Sequence, residues 1–167
     1  MSNKSRNTPV FLEKTLDLSL IFNILDLANQ LKINGDKICQ QYGVTTQQWL
    51  ILLHLAHDPN IPYFEREDHS LPVLASELAA SLNVTRPNVT NLIQILSQKE
   101  LVEQITDQAD ARRKRLILTE KGWEIVREIQ PIRIKTNEWL FENFGNDQKK
   151  DALNFLQHCL MKITQAK

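Results

Sequence analysis

The residues of this chain that could do chemistry gather in two places. In TRPNVTNLIQ, residues 85 to 94, the polar side chains Thr85, Arg86, Asn88, Thr90, Asn91 and Gln94 surround the apolar Val89, Leu92 and Ile93. Arg pairs with guanine, Asn and Gln pair with adenine, and Thr suits a phosphate or a thymine methyl, so this set is suited to reading a DNA groove. Further on, Asp110 precedes the cation run Arg112, Arg113, Lys114 and Arg115. Cations on a turn reach phosphates or the electronegative minor groove, and Asp110 is placed to hold Arg112. The plainer alternatives are a solvated helix face and a charged turn. A helix serving only a core would carry Glu, Lys and Ala on its wet side, and a simple turn needs no run of cations.

Other candidates point elsewhere. His54 and His57 stand one helical turn apart beside Asp58, with His69 following, a spacing at which two imidazoles can share a metal. No Cys or Glu stands at a complementary spacing, so no metal is expected. Cys39 invites a redox reading, but only Lys37 could activate it, and a buried inert thiol fits better. Gly-rich phosphate loops, nucleophile elbows and His-Glu-x-x-His are missing from the sequence, so neither catalysis nor a cofactor is expected.

The elements that must position the polar groups follow from periodicity. Apolar residues recur at helical spacing from Phe11 through Leu16, Leu20, Ile24, Leu27 and Leu31, predicting one long helix, bent at Gly35 and ending at Gly43. Thr45 and Gln48 form a capping box for a second helix, apolar nearly all round and so expected to be buried, reaching about His57. The proline-rich stretch 58–72 is a long loop. A third helix is expected over 73–82, a turn at Asn83-Val84, then a fourth from Thr85 to Lys99 with Pro87 in its first turn and Val89, Leu92, Ile93 and Leu96 inward. Two short helices so tightly joined make a helix-turn-helix. LVEQIT and KRLILT form a hairpin around DQADARR. Thr119 caps a fifth helix to Phe144, kinked at Pro131, and Asn146 caps a last one with Leu153, Leu156, Leu160 and Ile163 inward.

Composition narrows the class. With 167 residues, and Lys plus Arg equal to Asp plus Glu at 20 each, the chain is no general polycation, so DNA contact must be local. Cys39 and Cys159 have no paired spacing and suit a reducing cytoplasm. The apolar stretch LSLIFNIL is too short to cross a membrane, and no signal peptide is visible, so a cytoplasmic protein without a membrane partner is expected. Residues 1–9 read as a polar tail.

These features together resemble the MarR-type (multiple-antibiotic-resistance regulator) winged-helix transcription factors. The resemblance rests on VTTQQWLILLHL, on SELAASLNVTRPNVTNLIQILSQKELV, and on Asp110-x-Arg112 followed by Leu116, Leu118, Thr119 and Gly122. It implies a mainly α fold with a small β-hairpin wing: a winged helix-turn-helix at 46–122, flanked by an N-terminal tail and dimerisation helix at 1–45 and C-terminal dimerisation helices at 123–167. It further implies a homodimer on a pseudo-palindromic double-stranded DNA operator. Arg86, Pro87, Asn88, Thr90 and Asn91 fall at recognition-helix positions, and Asp110 and Arg112 at the wing pair. A small aromatic or phenolic effector would release the DNA, from a pocket lined by Ile21, Leu25, Tyr42, Trp49 and Trp123. Three departures stand out: Asn91 where Arg is common, Ala111 in place of a frequent wing Arg, and Glu100 where Gly often ends the recognition helix.

The sequence thus predicts a DNA-binding transcriptional regulator, a repressor released by a ligand. Its rivals are a winged-helix module that docks protein through the acidic stretch 58–68, and a redox- or metal-sensing regulator using Cys39 or His54 and His57.

Overall fold

The computed structural model describes residues 14–61, 72–108 and 110–165. The expectations for the tail 1–9, for the helix start at Phe11, and for most of the loop 58–72 with His69 lie outside these residues. The elements in order are α1 (Leu16–Cys39), a short 3-10 turn (Gln40–Tyr42), α2 (Thr46–Leu55), β1 (Val73–Leu74), α3 (Ala75–Ser81), α4 (Arg86–Gln98), β2 (Val102–Thr106), β3 (Lys114–Leu118), α5 (Glu120–Leu140) and α6 (Asn146–Gln165).

Helix starts follow the capping chemistry. The Thr45 hydroxyl accepts from the Gln48 amide while the Gln48 side chain accepts from the Thr45 amide, closing the expected box at α2. The Thr119 hydroxyl accepts from the Gly122 amide at 3.0 Å and so caps α5. Thr85 is the N-cap of α4 by backbone conformation, with no capping bond from its side chain. Asn146 does not cap α6 but is its first residue; the Gly145 amide before it donates to the Gln148 side chain at 2.9 Å.

Helix ends share one device. After α2, α3 and α4 the chain turns left-handed at His57, Asn83 and Glu100, with φ of 54, 51 and 62°. In each case the amide of the left-handed residue and the one after it return to the last turn; Glu100 donates to the Ser97 carbonyl and Leu101 to the Leu96 carbonyl. This is the Schellman closure, in which glycine is the unstrained residue. Gly43 supplies glycine only at the end of the 3-10 turn, with φ of 71°.

Three expectations are corrected. Val73 and Leu74 do not begin α3: they pair antiparallel with Leu116 and Arg115, and the hairpin becomes a three-stranded sheet ordered β1-β3-β2. Edge pairing satisfies backbone groups that a first helical turn would leave open, and it buries Val73 completely. α5 ends at Leu140 instead of Phe144, with Pro131 inside it. Leu153, Leu156, Leu160 and Ile163 of α6, expected inward, are all exposed, and α6 buries no residue.

The chain divides into two compact units, one ending at Val126 and one beginning at Arg127. The core of the first draws on Ile51, Leu52 and Leu53 of α2, Leu78 of α3, Val89, Ile93 and Leu96 of α4, and Val102 and Leu116 of the sheet. In the same unit, α1 buries only Cys39, leaving Ile21, Phe22, Leu25, Leu27 and Leu31 in solvent. Among the described residues no helix is long and apolar enough to cross a membrane.

Candidate nucleic-acid interface

The helix-turn-helix presents its polar set as the sequence predicts. Val89, Leu92, Ile93 and Leu96 are buried, and their helical spacing turns Thr85, Arg86, Pro87, Asn88, Thr90, Asn91 and Gln94 outward, all exposed. The Thr90 hydroxyl donates to the Arg86 carbonyl at 2.9 Å, so its proton is used within the helix.

The wing is ordered by two aspartates. Asp110 accepts from the Arg112 amide at 3.0 Å and from the Arg112 Nε at 3.3 Å, and its second oxygen lies 3.5 Å from the Arg113 Nε. The Arg112 side chain is nevertheless 93% exposed, projecting into solvent from a fixed base. Lys114 donates across the hairpin to the Thr106 hydroxyl at 2.7 Å. The buried Asp107 carboxylate accepts the Asp110 amide at 2.8 Å and forms an ion pair with Arg115.

That ion pair divides the cation run. Arg115 also donates from Nη1 to the Pro72 carbonyl at 2.6 Å, so it ties β3 to the entry of β1 instead of facing outward. The residue type could not reveal this. Alternation along β3 could not reveal it either, since it places Arg115 on the face opposite the buried Leu116 and Leu118.

Between α4 and the sheet lies a cleft of about 700 Å³ bordered by Thr90, Gln94, Gln98, Gln104 and Lys114. Gln98 and Gln104 were not singled out in the sequence. They extend the polar surface from recognition helix to wing.

The proposed effector residues are placed less distinctively. Ile21 and Leu25 are exposed on α1, Tyr42 and Trp49 are half-buried, and Trp123 is exposed at the start of α5. Neither the cleft beside α4 nor an apolar one of about 380 Å³ within the second unit, bordered by Phe141, Phe144, Leu153 and Leu156, includes any of them.

His54 and His57 differ in placement and partners. The carbonyl of Leu50, 2.6 Å from the His54 Nδ1, can only accept, so Nδ1 carries the proton. In the neutral ring Nε2 then accepts from the Ser81 hydroxyl at 2.8 Å. Burial holds this imidazole below its ordinary pKa. His57 lies beyond the helix in the left-handed turn. Among the described residues no cluster of His, Cys, Asp and Glu could hold a metal ion. Burial also raises the pKa of the Cys39 thiol, opposite to what a reactive thiolate needs.

A helix-turn-helix backed by a three-stranded sheet, with a cationic hairpin beside the outward helix, defines the winged-helix class. The MarR family model matches residues 42–113, the segment from the end of α1 into the wing. The chain is 29% identical over 147 residues to the transcriptional activatory protein BadR of Rhodopseudomonas palustris, covering 86% of this chain and 75% of that one. It is 24% identical over 141 residues to the transcriptional repressor MprA of Escherichia coli, covering 84% and 74%. The fold is similar to that in the crystal structure of a Staphylococcus aureus MepR–DNA complex, with a TM-score of 0.74 at 21% identity, covering 89% of this chain and 99% of that one. The chain is thus similar to winged-helix regulators of the MarR family across its helix-turn-helix and wing.

Proposed function

We propose that this protein is a homodimeric, sequence-specific DNA-binding regulator of transcription, acting as a repressor that a small aromatic or phenolic ligand releases. The observation that carries the reading is the joint presentation, within one compact unit, of a groove-reading helix face and an aspartate-braced cationic wing. Arg86, Asn88, Thr90 and Asn91 enter a major groove, while Arg112, Arg113 and Lys114 contact the backbone or the adjacent minor groove. The names of the relatives support regulation of transcription, and the repressor MprA supports the sign.

A second copy is the natural cover for the apolar side of α1, because most soluble oligomers are symmetric and a lone apolar helix face of this size is rare on a monomer. The dimer would complete an effector site around Ile21, Leu25, Tyr42, Trp49 and Trp123.

Fluorescence anisotropy against the DNA upstream of its own coding sequence and against a scrambled duplex, at two salt concentrations, tests this reading. Tight, salt-sensitive and selective binding is expected. Weak and equal binding to both, persisting across duplexes drawn from a random library, would overturn it.

A further inference from the structure

We infer that Lys99, outside the DNA-facing set, is a positioning residue that locks the recognition helix to the end of α1 and thereby sets the half-site spacing the protein accepts. This rests on the DNA-binding homodimer reading above.

Lys99 caps the C-terminal end of α4. Its Nζ donates to the Gly43 carbonyl at 2.6 Å, across 56 positions of sequence, and to the Gln48 Oε1 at 3.1 Å. Gly43 is the left-handed residue that closes the turn after α1, and the Gln48 oxygen also accepts from the Thr45 amide at 3.2 Å. One ammonium thus joins the end of α4 to the end of α1 and to the cap of α2. Gln48 is buried, so the bond to its Oε1 is partly shielded from competing water, while the bond to the Gly43 carbonyl is exposed.

The parts it joins are themselves held. The Asp36 Oδ1 accepts from the Thr46 amide at 2.8 Å, pinning α1 to the first turn of α2. A Cβ at Gly35 would stand 2.8 Å from the Thr46 Oγ1, so the two helices meet too closely there to slide freely. At the far end of α2, the His54–Ser81 bond holds α3. α1, α2, α3 and the trailing end of α4 form one frame, with Lys99 at the joint nearest α1.

Geometry turns that joint into a ruler. α4 has 13 residues and is about 20 Å long; a rotation of about 10° at Lys99 moves the Arg86 end by about 3 Å, close to one base step. If the partner seats on α1, the angle between α4 and α1 decides how far apart the two recognition helices lie, and hence the half-site spacing. A lysine serving only the helix dipole would add stability without affecting spacing.

The test starts with duplexes selected by wild-type protein from a random library. Each is remade with its half-sites one base pair closer or farther apart, and anisotropy is measured for wild type, Lys99→Met and Gln48→Glu. Lys99→Met keeps the aliphatic stem and loses the donor. Its discrimination between spacings should fall about tenfold while base preference within each half-site persists, because the groove-facing side chains of α4 are unchanged. Gln48→Glu retains an acceptor for both Lys99 and the Thr45 amide and should keep the wild-type spacing profile. An unchanged profile in Lys99→Met, or equal loss on every spacing, would overturn the inference while leaving the DNA-binding reading intact. Should circular dichroism show Lys99→Met unfolded, Lys99→Gln is judged by the same ratio. Failure of the wild type to select any duplex would overturn the DNA-binding reading, and this inference with it.

Discussion

Arg115 of β3 and Asp107, the residue just past the end of β2, form an ion pair with only 14% and 4% of their side chains exposed. A second guanidinium nitrogen bonds the Pro72 carbonyl, so the pair fastens all three strands of the sheet. Removing one partner of such a pair leaves a buried charge uncompensated. Arg115→Ala is therefore expected to lower stability by about 3 kcal/mol in urea unfolding, whereas Arg112→Ala, three residues away, should change it by less than about 0.5 kcal/mol.

The exposed cation and the exposed amide should divide DNA binding between them. Arg112→Ala is expected to weaken binding to all sequences alike and to flatten the dependence of log affinity on log salt by about one unit. Asn91→Ala should relax preference at one base position with little change in salt slope. Titrations on matched, mismatched and random duplexes separate the two, and identical losses for both variants on all three would refute the division.

Glu100 pays a conformational cost at the end of the recognition helix. Its left-handed φ of 62° suits glycine, and its ion pair with Lys121 is exposed at both partners and worth little. Glu100→Gly is expected to raise stability by about 1 kcal/mol, with the midpoint of thermal unfolding moving up. A fall in the midpoint would show that the ion pair outweighs the strain.

Gly122 lies where α5 crosses the start of β2. A Cβ there would overlap the Leu101 carbonyl oxygen, which already accepts the Thr119 amide at 3.2 Å. Backbone cannot swing aside as a side chain can, so Gly122→Ala should cost about 2 kcal/mol and loosen the junction of wing and α5. Unchanged urea stability would mean that the junction shifts freely.

His54 makes stability fall in mild acid. Its pKa in the folded protein is held below the ordinary 6.5 by burial, the Leu50 carbonyl opposing this, so the unfolded chain binds the proton more readily. The contribution is complete above about pH 6.5 and is lost as pH falls through the folded value. Asp36, lowered chiefly by the Thr46 amide, acts in the same direction in a separate window below its ordinary 3.8. Urea unfolding between about pH 7.5 and about pH 5.5 should show declining stability in wild type and a flatter profile in His54→Gln; parallel profiles would contradict this assignment.

The helix pattern, the capping box at the start of α2 and the outward face of α4 were legible because they depend on neighbours three or four residues apart. Val89, Leu92, Ile93 and Leu96 point inward wherever that segment is helical, which leaves Arg86, Asn88 and Asn91 outside. The left-handed end at Glu100 was suggested only by the family resemblance, in which Gly often stands at that position.

What depended on distant partners was not legible. Leu74 shares helical spacing with Leu78 and so reads as the start of α3 with Val73, and only Leu116 and Arg115, brought alongside by folding, made the two a strand. Arg115 reads as one more wing cation until Asp107 and the Pro72 carbonyl surround it. The apolar spacing of α1 and α6 predicts burial, but spacing says only that a face must be covered, not whether this chain covers it; in the folded chain Leu25, Leu31, Leu153 and Leu160 remain in solvent. Local periodicity determined the elements and the reading face, because both arise from backbone geometry within a few residues. The third strand, the loss of Arg115 from the wing and the uncovered faces were decided by tertiary structure, because each depends on which distant groups fold into contact.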